Sequence, residues 1–161
     1  MSGDSIVVAY DGSPAAERAL RDGGRLLSGR RAIVLVVWKE GLGFETIALP
    51  AATVGLPPAP IDVRTALEID QKLYEGAQSL AQQGADIADE VGLEAEGLVV
   101  ADEVDVPVSE TIVEVARERE AAAIVIGAHG HGRLPLLGGT TRDVLRHAPC
   151  PVVVVRDPGR R

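Results

Sequence analysis

Apolar residues collect in five short unbroken runs: Ile6 to Tyr10, Ala32 to Trp38, Leu98 to Ala101, Ala122 to Ile126 and Val152 to Val155. None alternates polar with apolar, so each is expected to be a strand covered on both faces, as strands of a parallel sheet are. Amphipathic stretches separate most of them. The first is predicted to be a helix with Ser13 as N-cap and Pro14 at the first helical position. It carries Ala16, Ala19, Leu20, Leu26 and Leu27 and leaves through Gly29-Arg30-Arg31.

The longest helix is predicted from about Asp62 to Val91, ending at Gly92, a residue suited to a left-handed cap. Its apolar positions Leu67, Leu73, Ala77, Leu80, Ile87 and Val91 recur at helical spacing. A third helix follows Pro107, with Val108, Ile112, Val115 and Ala116 on one face. The fourth spans about Thr140 to His147 and is ended by Pro149 and Pro151. Alternation of strand and helix predicts an α/β fold: one domain over residues 1–161, with a doubly wound, mostly parallel sheet.

One stretch breaks this rhythm. Lys39 to Ile61 is rich in Gly and Pro but also holds Phe44, Ile47, Leu49, Val54 and Leu56. It is expected to be a long irregular connection that packs as a flap near the second strand.

Composition narrows the chemistry. Aromatics are only 2% of the chain, so the core must be built from Val, Ile, Leu and Ala. The formal charge is −8, which repels phosphate backbones and anionic lipid, so nucleic-acid and membrane-surface partners are not expected. An anionic small molecule would need local N–H donors to overcome that field. The single cysteine, Cys150, excludes an internal disulfide and is expected to be a small buried hydrophobe. The N-terminal segment lacks a signal-peptide pattern and no apolar run approaches the ~18 residues of a membrane span, so a cytoplasmic location is expected.

Candidate chemistry concentrates in Gly127-Ala-His-Gly130-His-Gly132-Arg-Leu-Pro-Leu-Leu-Gly138-Gly139-Thr140-Thr141, between the fourth strand and the fourth helix. Glycines let the backbone approach a ligand closely, and the first turn of a helix presents N–H groups to an anion such as phosphate. No lysine is present for a Walker loop, and neither a dinucleotide loop nor a His-x-Gly-His nucleotidyltransferase loop belongs after a fourth strand. His129 and His131 have no clear third metal ligand nearby in sequence. Asp11, before Gly12-Ser13, suits either a turn or a ligand contact. His147 suits the negative end of the last helix, and the Glu94-to-Glu96 and Arg117-to-Glu120 clusters read as solvated surface.

Three segments in order resemble the universal stress protein family: Ile6-Val-Val-Ala-Tyr-Asp11-Gly-Ser13, the glycine loop, and Asp143 to Arg156. The nucleotide-binding branch of that family has Gly-x2-Gly-x9-Gly-Ser/Thr, whereas this chain has Gly127-x2-Gly130, eight residues, then Gly139-Thr140. The resemblance implies strand order 3-2-1-4-5 and a ligand crevice between strands 1 and 4, where α/β sheets place their sites. By matching positions, Ala9 and Asp11 would border an adenosine, with the Val37 backbone near the base. Ile126, Gly127, His129 and Gly130 would line the ribose and phosphate path, and Gly139, Thr140 and Thr141 would hold phosphates, with Arg133 within reach. One missing residue corresponds to a shift of up to ~3.5 Å in those donors unless the loop absorbs it.

The expected function is therefore a stress-response protein that binds ATP or a related adenine nucleotide, with or without Mg²⁺. It would act as a ligand-responsive homodimer through the strand Val152 to Val155. Two alternatives remain open from sequence: a dimeric scaffold of the same family that binds no nucleotide, and a slow ATPase. No catalytic constellation is evident, and the protein partner is unidentified.

Overall fold

A computed structural model describes residues 4–40, 63–103, 105–128 and 137–156. Five strands form one sheet: β1 (Ser5–Ala9), β2 (Arg31–Lys39), β3 (Glu94–Asp102), β4 (Ala123–Gly127) and β5 (Val152–Val155). All pairings are parallel and the order is β3-β2-β1-β4-β5. Among the described residues four helices connect them: α1 (Pro14–Leu26), α2 (Val63–Glu90), α3 (Val108–Glu118) and α4 (Gly139–His147). The expected fold class and strand order are both observed.

Each face of the sheet has its own core. Ile6, Val8, Val34, Val36 and Val125 pack against α1 and α2 on one face. Their strand neighbours Val7, Ile33, Leu35, Ile124 and Ile126 point the other way, against α3 and α4. Ile6, Leu20, Leu35 and Ile124 are fully buried, and burial of each such side chain stabilises the fold by roughly 1.5–3 kcal/mol.

The edge strands depart from the sequence expectation. β3 begins at Glu94 and not at Leu98, with Arg31 opposite Glu94 and Ile33 opposite Glu96. Its charged first half is solvated and also part of the sheet, because an edge strand can present polar side chains to water. β3 and β5 are half-exposed, so the expectation of two covered faces holds for the inner strands alone.

In α2 the expected apolar positions Ala77 and Ile87 are buried but Leu67 and Leu73 are exposed, and the small residues Ala66, Ala81, Gly84, Ala85 and Ala88 are buried instead. The physical reason is close approach. A Cβ built on Gly97 of β3 would lie 2.7 Å from the backbone carbon and oxygen of Ala81, and one built on Gly84 would lie 2.7 Å from Val34. Only small residues fit between helix and sheet at that separation. Leu26, in the last turn of α1, is likewise exposed rather than in the core.

Backbone cannot yield as a side-chain tip can. Gly97→Ala is therefore expected to destabilise the fold by about 1–3 kcal/mol, read as a lower midpoint in urea unfolding. An unchanged midpoint would show that α2 can lift off β3 at no cost.

Candidate functional site

The sheet has a notch at its centre. β1 pairs with β2 only as far as Ala9 opposite Leu35, and with β4 only as far as Val8 opposite Val125. β2 runs on to Lys39 and β4 to Gly127, each held by its outer neighbour. The chain leaves β1 in a turn that is locally determined. Asp11 Oδ1 accepts the Ser13 N–H at 2.9 Å, Gly12 takes φ +74°, and Ser13 Oγ accepts the Ala16 N–H at 3.1 Å to cap α1.

A cavity of about 940 Å³ opens over this notch. β1 and its turn contribute Ala9, Tyr10, Asp11 and Ser13, and β2 contributes Leu35 through Trp38. Ile126 and Gly127 of β4 and the segment Leu137 to Arg142 form the opposite wall, while Leu73, Gly76, Ala77 and Leu80 of α2 and Val108 and Ile112 of α3 close the sides. Of the residues expected from sequence, Ala9, Asp11, Val37, Ile126, Gly127, Gly139, Thr140 and Thr141 are brought together here. His129, Gly130 and Arg133 lie outside the described residues, as does most of the expected flap over Lys39 to Ile61.

The two walls offer different chemistry. On β2, the Leu35 carbonyl accepts the Tyr10 N–H at 2.9 Å, so the backbone groups of Leu35 point toward β1. Backbone direction alternates along a strand, so Val37 points its N–H and C=O toward the same side, beyond the end of β1. A donor and an acceptor thus face the cavity side by side. Trp38 follows on the other face of β2, with its ring centroid 5.3 Å from that of Tyr74 in an edge-on contact. Its indole Nε1 is buried and has no hydrogen-bond partner among the described residues.

On the other wall, α4 begins with Gly138 as N-cap, and no side chain of the described residues caps it. Its first turn contains no acidic residue and Arg142 stands there instead. By helix geometry the N–H groups of Gly139, Thr140 and Thr141 have no acceptor within the helix. Thr140 is exposed at the cavity. Thr141 is buried, and its hydroxyl donates to the Gly127 carbonyl at 2.9 Å.

Sequence reasoning missed Tyr10, Ser13, Trp38, Leu80 and Arg142 among the lining residues. Arg142 had a legible signal, since a cation in the first turn of a helix opposes the dipole unless an anion is nearby. Trp38 is the only tryptophan, at the end of a strand, but its face could not be read without α2.

Burial raises the pKa of the Tyr10 phenol, the Glu17 and Asp11 carboxylates raise it further, and Arg21 opposes them, so the ring stays neutral at physiological pH. Among the described residues no group of three or more His, Cys, Asp or Glu could hold a metal ion. A Mg²⁺ here would have to be carried by a ligand's own phosphates. Nor, among the described residues, is any helix long and apolar enough to cross a membrane.

A parallel sheet of this order, with a cavity above the notch at the end of β1, defines a doubly wound α/β protein. The model of the universal stress protein family matches residues 4–156, and the chain belongs to that family. It is 31% identical over 157 residues to the universal stress protein Rv2623 of Mycobacterium tuberculosis, a match covering 94% of this chain and 47% of that protein. The chain thus spans about half the length of the curated relatives it matches. Among solved structures it resembles the hypothetical protein MJ0577, with a TM-score of 0.72, 23% identity and 99% of each chain covered. It also resembles the universal stress protein of Archaeoglobus fulgidus in complex with dAMP, with a TM-score of 0.58, 25% identity, and 96% of this chain and 98% of that one covered.

Cys150 precedes β5 and packs against the α3–α4 core, as expected of a small hydrophobe, though it is only partly buried. Burial raises its thiol pKa, and the thiolate is the reactive form. Alkylation of Cys150 at pH 8 is expected to be slower in the folded protein than in urea, followed by mass spectrometry. Equal rates would show that the thiol is solvated.

Proposed function

We propose that this chain is a stress-response module that binds ATP or a related adenine nucleotide in the cavity over β1. The observation that carries the reading is the contrast between two helix N-termini at one cavity. α1 caps itself with Ser13 and carries Glu17 in its first turn. Among the described residues α4 has neither a side-chain cap nor an acid in its first turn, and it presents Thr140 and Arg142 to the cavity. A phosphate would complete α4 as a side chain completes α1.

The remaining parts of the ligand follow from the wall chemistry. The adjacent N–H and C=O of Val37 match an adenine edge, which presents an acceptor beside an amino donor. Asp11 borders the sugar, where its carboxylate can accept from ribose hydroxyls, and Ala9, Ile126 and Gly127 leave room for the ring to lie across the notch. His129, Gly130 and Arg133 would contribute from the loop between. The dAMP complex of the Archaeoglobus relative supports an adenine nucleotide as the ligand class.

Trp38 makes the test direct, because the only tryptophan of the chain lines the cavity. Titration with ATP is expected to change its fluorescence to saturation. Thr140→Ala should weaken ATP by about 0.5–3 kcal/mol while sparing adenosine. Asp11→Ala should weaken both. No response in fluorescence or calorimetry at millimolar ATP would replace this reading with that of a scaffold that binds no nucleotide.

The same module is proposed to pair through β5. The strand order ends on Val152–Val155, a half-exposed apolar edge that no further strand pairs with among the described residues. A two-fold axis beside it would satisfy both copies. Light scattering at micromolar concentration is expected to give a dimer, and Val153→Lys a monomer. A monomeric wild type would remove the dimer from the proposal.

A further inference from the structure

The glycine loop is one residue short of the family spacing, yet the two ends of that loop are tied to each other. The Thr141 hydroxyl donates to the Gly127 carbonyl at 2.9 Å, and the Gly138 N–H donates to the Ala128 carbonyl at 2.9 Å. Ala128 is itself held, its N–H donating to the Val155 carbonyl of β5 at 2.9 Å. Thr141 is 3% exposed and Val144, one turn on, is fully buried in the α3–α4 core. The first turn of α4 is therefore joined to the last two residues at the end of β4 by contacts that do not pass through residues 129–136.

From this we infer that the Thr141 side chain positions the phosphate donors, and that its hydroxyl is not itself one of them. Its one hydroxyl hydrogen is committed to Gly127, since a carbonyl oxygen can only accept. What that bond supplies is distance. It holds the N–H groups of Gly139, Thr140 and Thr141 at a set separation from Gly127, whatever length of loop runs between. Hydrogen bonds to an anion weaken steeply when a donor moves or tilts, so a helix start anchored in this way tolerates a shortened loop and an unanchored one does not. The second tie, from Gly138, restrains the same turn from the N-cap side. Together they account for how a loop with a missing residue can keep its phosphate donors in place.

The inference rests on the nucleotide reading above, and the test separates the two. Wild type, Thr141→Val, Thr141→Ser and Gly138→Pro are each titrated with ATP and with adenosine, using Trp38 fluorescence. Thr141→Val removes the hydroxyl at similar volume. Gly138→Pro removes the second donor at a residue whose φ of −57° proline can adopt. Both are expected to raise the Kd for ATP roughly three- to tenfold, the cost of one lost hydrogen bond, with the Kd for adenosine unchanged. Thr141→Ser should restore ATP affinity. A merely structural role would lower the melting temperature and weaken both ligands by the same factor. That outcome, or ATP affinity unchanged in both variants, overturns the inference and leaves the nucleotide reading standing. If Thr141→Val does not fold, Gly138→Pro and Thr141→Ser decide the matter alone. A wild type that binds neither ligand overturns the nucleotide reading and this inference with it.

Discussion

The early end of β1 is the constraint on which the site depends. A central parallel strand that ran as long as its neighbours would pair along its whole length and leave no room between them. β1 stops at Ala9 because Asp11, Gly12 and Ser13 turn the chain at once into α1. Gly12 is needed there for its backbone, and a side chain would also have to displace the tip of Leu80. Its φ of +74° is a left-handed conformation that costs a side chain, and a Cβ would lie 2.8 Å from Leu80. Above the notch, the backbone of Val37 and the start of α4 face one cavity from opposite sides.

The polar groups around that cavity are divided between those the fold uses and those it leaves. Ser13 is used to cap α1, Asp11 accepts from the turn it sits in, and Thr141 is spent on Gly127. The first N–H groups of α4 have no side-chain cap among the described residues, and the cation in that turn adds to their field instead of cancelling it. Beside β3, Lys39 donates to the carbonyls of Glu103 and Val106, and Thr111 donates to Asp102, so the start of α3 is drawn in against the same wall. In a strongly acidic chain, the backbone dipoles of this turn and Arg142 are what the proposed anion site relies on.

Close packing of α2 on the sheet serves the same geometry. Small residues let that helix lie against Gly97 and Val34, which brings Leu73, Gly76 and Leu80 to the cavity's rim. The larger apolar residues Val63 and Leu67, nearer the helix start, are exposed in consequence. Periodicity alone would have turned those large residues inward, and it is the helix–sheet separation that turns them out.

Much of this was legible in the sequence. Short apolar runs between amphipathic stretches established an α/β sheet, Ser13-Pro14 marked where α1 starts, and glycines before Thr140 marked the turn now proposed to bind an anion. Each of these is a local property, decided by backbone sterics, capping and burial within a few residues. The extent of β3 was not local, because Glu94 to Glu96 become strand only when Arg31 to Ile33 lie beside them. Nor was the role of Thr141, whose hydroxyl meets a carbonyl 14 residues earlier. The sequence alone determined which groups were available to bind an anion. Tertiary structure decided which of them stay available, because a hydrogen bond already spent inside the fold cannot be offered to a ligand.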